Sequence, residues 1–258
     1  IMIIVAIIPA RMGSSRFPGK PMANIHGVPM IGHCYYRTKM CGDLFSTYIA
    51  TCDKEIYDYI KSINGNVVMT SDTHERATDR TAEAMIKIEE EINERIDVVV
   101  MVQGDEPMVT PSMISESLKP LEEDMSVNVV NLMSDIDNIE EFEDPNEVKV
   151  VVDKFSNAIY FSREPIPSRK KGVIDVPMLK QVCIIPFRRD YLLKFNSMPE
   201  TTLERIESVD MMRIIENGEK VRMVMTNVNS FSVDTEGDRL RVEEKMTNDS
   251  LTQEYKNA

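Results

Sequence analysis

One abrupt change of character near the start of the chain limits what it can fold into. Residues 3–8 read IIVAII, apolar throughout and partly β-branched, long enough for one buried strand. Within two residues the composition turns to Pro9, Arg11, Gly13, Ser14, Ser15, Arg16, Pro18, Gly19 and Lys20. A strand apolar on both faces belongs in a parallel sheet covered on both sides. The carboxyl end of such a strand is where open α/β sheets bind ligands. Glycines let backbone N–H groups approach a ligand closely. N–H groups and serine hydroxyls bond phosphate oxygens, while arginine and lysine neutralise them. The loop therefore predicts a polyphosphate site. The plainer alternative is a basic surface loop, but cations so tightly packed repel one another unless an anion is expected. Neither GxxxxGK[ST] nor GxGxxG is present, so this is neither a P-loop nor a dinucleotide fingerprint.

Beyond the loop, strand and helix patterns alternate. Pro29 opens a helix to about residue 40, ended by Gly42, and 46–51 reads as a strand. Asp53 is placed to cap a helix over 54–62, Asn64-Gly65 is a turn, and 66–69 is a third strand. A βαβαβ run complete by residue 70 predicts a three-layer α/β fold. A polar stretch then leads to a helix capped by Thr78 or Asp79 and running to about residue 93. Residues 97–102 form a buried strand ending in Gln103-Gly104-Asp105-Glu106-Pro107. Pro111 starts a helix and 127–132 is a fifth strand. Beyond an acidic loop at 134–146 the period shifts to that of a β-hairpin, over 147–153 and 158–162. Residues 164–180 read as an exposed loop and 181–186 as a strand. Helices are expected at 188–195, at 202–217 with Gly218 as the cap, and at 236–246. A strand is expected at 221–225. The tail from Thr247 is polar and expected to fray.

The 258 residues suit one large domain, or a domain with an appended lobe. A balance of 30 basic against 43 acidic residues, −13 net, disfavours binding to nucleic acid or anionic membranes. It also makes residues 11–20 a local exception. No apolar run approaches a membrane span, so a cytoplasmic protein is expected. Cys34, Cys41, Cys52 and Cys183 form no CxxC pair and read as reduced thiols.

Four stretches point the same way: IPARMGSSRFPGKP over 8–21, VQGDEP over 102–107, FSREPIP over 161–167, and SVDT over 232–235. With them, the chain resembles the 3-deoxy-manno-octulosonate cytidylyltransferases, or CMP-Kdo synthetases, in order from about residue 3 to 246. The resemblance implies a three-layer nucleotide-diphosphosugar-transferase-like (Rossmann-like) mixed sheet. It implies one cytidylyltransferase domain over 1–246, with 147–210 as an inserted acceptor and dimerisation lobe containing the hairpin, and 247–258 as a tail. It also implies a homodimer, a role in lipopolysaccharide biosynthesis, and a reaction. The anomeric hydroxyl of a 3-deoxy-ulosonic acid, Kdo or similar, attacks the α-phosphate of CTP, pyrophosphate leaves, and Mg²⁺ is required.

On this reading Arg11, Lys20 and Asp105 are the catalytic residues. Ala10, Arg11, Gly13, Ser14, Ser15, Arg16 and Lys20 hold the nucleotide. Thr70, His74, Thr78, Arg80 and Gln103 join them by resemblance. Asp105 and Asp234, each past a strand end, supply the oxygen ligands that a hard, octahedral Mg²⁺ prefers. An Asp in such a place also forms turns and caps helices. Gln103, Arg163, Gln181, Glu207 and Asp210 are assigned to the acceptor. The chain departs from the family pattern mainly on that side. Gln181 stands where the family has His, the 168–180 loop lacks its Trp, and Ala77 replaces a Gly. A glutamine carries no positive charge. A different anionic sugar or an alcohol phosphate, handled by a nucleotidyltransferase of the same fold, is therefore the alternative acceptor.

Overall fold

The computed structural model describes residues 2–173 and 175–256. In chain order the elements are β1 (Ile4–Ala10), β2 (Asn24–Ile25), β3 (Val28–Pro29), α1 (Met30–Lys39), β4 (Ser46–Thr51), α2 (Lys54–Ser62), β5 (Val67–Met69), α3 (Ala77–Ile92), β6 (Val98–Val102) and α4 (Pro111–Glu123). They continue with β7 (Val130–Asp135), α5 (Ile139–Glu143), β8 (Lys149–Val152), β9 (Ala158–Ser162), β10 (Leu179–Val182), β11 (Ile184–Arg188), α6 (Arg189–Ser197), α7 (Thr202–Glu207), α8 (Met211–Glu216), β12 (Arg222–Met225), α9 (Glu236–Lys245) and α10 (Ser250–Lys256). The fold is mixed α/β. The chain divides into two compact units, one running to residue 115 and resuming at 230, the other spanning 116–229. Among the described residues, no helix is long and apolar enough to cross a membrane.

In the first unit β6, β1, β4 and β5 lie side by side, all parallel. Every residue of β1 is buried, as the unbroken apolar run requires. The chain steps outward from β1 through α1 to β4 and through α2 to β5. Helix α3 then carries it back to β6 on the other side of β1. Right-handed crossovers place α1 and α2 on one face and α3 on the other. The reversal opens a crevice at the carboxyl ends of β1 and β6. Backbone approach there is close: a Cβ on Gly104 would lie 3.0 Å from the Pro9 carbonyl oxygen.

Three expectations are corrected in this unit. Asp53 makes no side-chain cap for α2. Its carboxylate instead accepts from the Met12 N–H at 2.8 Å and pins the phosphate-type loop. Helix α3 begins at Ala77 with Arg76 as its N-cap, which leaves Thr78 fully buried in the first turn. The tail, expected to fray, is helical and docked over 250–256. Helix α10 docks on α1, stacking Tyr255 on Tyr36 and pairing Asp249 with the buried Arg37 at 2.6 Å. One aromatic ring and one buried ion pair do this, and neither marks a polar segment as packed.

The second unit holds a sheet ordered β12-β7-β10-β8-β9. The β8–β9 hairpin forms where the alternation predicts it, turning at Ser156 with φ 62°. The expected 134–146 loop contains the short helix α5, capped by Asn138 through the Glu141 N–H at 2.8 Å. The single strand expected at 181–186 is two, β10 and β11, parted at Cys183. The helix expected over 202–217 is also two, broken at Ser208 with φ 54°. The break has a reason. In one continuous helix Glu204 and Arg213, nine apart, would sit on opposite faces. Folded back, they form a buried two-point pair at 2.8 and 2.6 Å. The lobe expected at 147–210 lies inside this unit.

Candidate active site

The switch-point crevice of the first unit is a pocket of about 520 Å³, within the usual range for a small-molecule site. The end of β1 gives Pro9 and Ala10, and the loop beyond it gives Arg11, Gly13, Ser14, Ser15, Arg16 and Lys20. The turn after β6 gives Gln103, Gly104 and Asp105, and the segment before α9 gives Asp234. His74, Glu75, Arg76, Ala77 and Arg80 line it from the start of α3.

The loop's shape is set by its own backbone. Gly19, at φ 74°, donates its N–H to the Met12 carbonyl at 3.1 Å and closes the loop on itself. Lys20 follows at the start of a short 3-10 turn, so its Cα is fixed while its ammonium is carried on a long stem. That ammonium lies 3.4 Å from Asp105 Oδ2 and 3.6 Å from Asp234 Oδ1. Arg16 reaches the same Asp234 oxygen at 2.9 Å.

The two acids are brought together by the main chain. The Val233 N–H donates to the Asp105 carbonyl at 2.9 Å. Beside it, the buried Glu106 accepts from the Ser230 hydroxyl at 2.7 Å. Asp105 Oδ1 is buried with no hydrogen-bond partner. Burial, with the Asp234 carboxylate nearby, pushes Asp105 above the usual carboxylate range, against the pull of Lys20. A buried carboxylate oxygen without a partner, beside a second carboxylate, is a donor set that suits a hard divalent cation. The pair falls short of a three-ligand cluster, and no such cluster of His, Cys, Asp and Glu exists among the described residues. Other ligands would have to come from bound phosphate and water.

On the far wall His74 is paired with Glu83 through Nε2. Burial works to raise Glu83, but hydrogen bonds from Lys87, His74 and the Ser71 N–H outweigh it and hold the carboxyl at about 2. Arg80 is buried and donates through NH1 to Thr70 Oγ1 and the Ser71 carbonyl, while its NH2 has no partner. Thr70 thus orients Arg80 and is not among the lining residues, and neither is the buried Thr78. Helix α3 begins at the pocket wall, where Ala77 and Arg80 of its first turn line the cavity, and its N-cap residue Arg76 makes no side-chain cap bond. Glu75 and Arg76 escaped the sequence reading, because a polar stretch ahead of a helix has no period to show which side chains turn inward.

The residues assigned to the acceptor divide. Gln103 lines the pocket, whereas Arg163, Gln181, Glu207 and Asp210 belong to the second unit. Within that unit Arg163 donates to the carbonyls of Glu207, Pro145 and Ser208. Glu207 accepts from the Tyr160 hydroxyl and the Arg163 N–H, both at 2.8 Å. Gln181 donates its amide to the buried Asn131 at 2.6 Å. Asp210 is the N-cap residue of α8, without a side-chain cap bond.

The family described as cytidylyltransferase matches residues 5–221. A 3-deoxy-manno-octulosonate cytidylyltransferase from Geobacter metallireducens is 41% identical over 256 residues, covering 95% of this chain and 98% of the relative. One from Geobacter sulfurreducens is 41% identical over 255 residues, covering 95% and 100%. Among solved structures, a CMP:2-keto-3-deoxy-manno-octonic acid synthetase complexed with CTP superposes with a TM-score of 0.86 at 35% identity, covering 95% of this chain and 98% of that one. A 4-diphosphocytidyl-2C-methyl-D-erythritol synthase from Anaerococcus prevotii, at 14% identity and a TM-score of 0.62, shares the fold alone.

Proposed function

Since the chain belongs to the cytidylyltransferase family, and its relatives to the 3-deoxy-manno-octulosonate branch, we propose that it transfers CMP from CTP to the anomeric hydroxyl of Kdo or a close ulosonic acid. Pyrophosphate is the leaving group and Mg²⁺ the cofactor. The observation that carries this reading is the convergence of Arg11, Arg16 and Lys20 with Asp105 and Asp234 in one crevice.

The residues divide the work by chemistry. Arg11 and Arg16 present planar forks suited to phosphate oxygens, and Lys20 adds a compact point charge. Together they offset the charge that grows on departing pyrophosphate. The partnerless NH2 of Arg80 is a donor for an acceptor atom of a pyrimidine. The Glu83 contact fixes His74 at the edge of that region. Asp105 and Asp234 would hold Mg²⁺. When bound, the ion supplies Lewis-acid stabilisation of the phosphate and lowers the pKa of an incoming hydroxyl. The amide of Gln103 is placed to orient a sugar hydroxyl.

The test is pyrophosphate release with Mg²⁺ across the four nucleoside triphosphates, each offered with Kdo, other acidic sugars and phosphorylated alcohols. Release with CTP and Kdo is expected. Release with CTP and only another acceptor would move the specificity to residues 163–187. Silence across the panel, with CTP still bound, would remove the transferase reading.

A further inference from the structure

The ammonium of Lys20 lies between the two carboxylates that the proposed function gives to a metal. The backbone bond from Val233 to Asp105 keeps the acids close. Their mutual repulsion is therefore built into the fold and needs a cation. Lys20 supplies it from 3.4 and 3.6 Å, with the three side chains only 16%, 22% and 18% exposed, which limits screening by solvent. Arg16, 52% exposed, touches Asp234 from the rim. A divalent ion at the same oxygens must push that ammonium away. The displaced ammonium then meets the cations Arg11, Arg76 and Arg80 lining the same pocket, which is unfavourable unless a polyanion arrives with it.

We propose that Lys20 is an exchangeable cation. It neutralises the Asp105–Asp234 pair until nucleotide binds, then passes to the triphosphate as the divalent ion takes the carboxylates. This rests on the reading of both acids as metal ligands. It follows that Lys20 opposes the binding of metal alone, and that triphosphate removes the opposition. By linkage, metal and nucleotide each strengthen the other at this site.

The experiment is Mn²⁺ binding, read by electron paramagnetic resonance in the absence of nucleotide. It compares the wild-type chain with Lys20→Met and the less disruptive Lys20→Gln, and adds Asp105→Asn to each as a control. Both lysine variants are expected to bind Mn²⁺ about tenfold more tightly than wild type. Mn²⁺ should also raise their melting temperatures more than it raises that of wild type. Arg16→Ala should strengthen binding by a smaller factor. Unchanged or weaker Mn²⁺ binding in the folded lysine variants would overturn the exchange. If the wild type still turns over CTP and Kdo, the proposed function survives that result. If Asp105→Asn leaves Mn²⁺ binding unaltered in every background, the acids are not the ligands. The exchange and the metal assignment then fall together.

Discussion

Asp105 has two oxygens with different surroundings: Oδ2 meets Lys20, while Oδ1 is buried with no partner. An amide in its place keeps the shape and removes the charge that would hold a divalent ion. Asp105→Asn is expected to lower kcat for pyrophosphate release by about a hundredfold or more. A rate near wild type would show that this carboxylate has no part in the chemistry. Arg80 makes a separate prediction. Lysine preserves its charge but cannot supply NH1 to Thr70 and NH2 to a base together. Arg80→Lys should raise KM for CTP about tenfold and change kcat much less. An equal loss in kcat would place Arg80 on the reacting phosphates instead. Asp105 was legible in the sequence because it follows a recognisable buried strand. The orphaned nitrogen of Arg80 was not, because a helix pattern shows which residues face inward but not which of their atoms lack partners.

At the scale of elements, the dock of α10 on α1 is where titration and stability meet. His33 Nε2 faces the Ile25 carbonyl, which can only accept, so Nδ1 is the ring nitrogen that accepts from the Tyr255 hydroxyl. Burial holds His33 down to about 4 from 6.5, with the Ile25 carbonyl opposing and Arg37 assisting. The folded form therefore carries the neutral ring. Between those two values the unfolded chain takes up the proton first, so stability falls as pH drops from about 6.5 towards 4. The shift corresponds to about 3 kcal/mol. Asp249 adds a second loss below about pH 4. Burial tends to raise it, but Thr252 and Arg37 outweigh this and hold it low, so its contribution disappears as it protonates. Hydrogen exchange in residues 250–256 should accelerate through the first window, and His33→Gln should flatten the pH dependence. An unchanged profile in that variant would show that His33 does not govern the dock. Asp249→Ala leaves the buried Arg37 without its counter-charge and should cost about 3–5 kcal/mol in chemical denaturation.

At the scale of the molecule, a chain of net charge −13 concentrates cations in one crevice, an arrangement that favours a small polyanion over a nucleic acid. CTP with Mg²⁺ should slow hydrogen exchange most in 9–20, 74–80, 103–106 and 232–235, the segments that line the pocket. Protection confined to 116–229 would move the nucleotide site to the other unit. The order of elements in the first unit was readable almost throughout, since strands and helices there keep their periods. The second unit was read less well. The breaks at Cys183 and Ser208 answer to contacts such as Glu204–Arg213, not to composition.

By itself the sequence determined the buried β1, the βαβ alternation, the cationic loop and Asp105 past the end of β6; Asp234, expected past a strand end, lies instead in the loop that leads into α9. Periodicity and loop composition act over a few residues and need no knowledge of the rest of the chain. Tertiary structure decided which distant groups meet: Arg16 with Asp234 across 218 residues, Arg37 with Asp249 across 212, and Gln181 with Asn131 across 50. Such pairs are selected by how elements pack and by which buried polar atoms must be satisfied, and no local pattern encodes either.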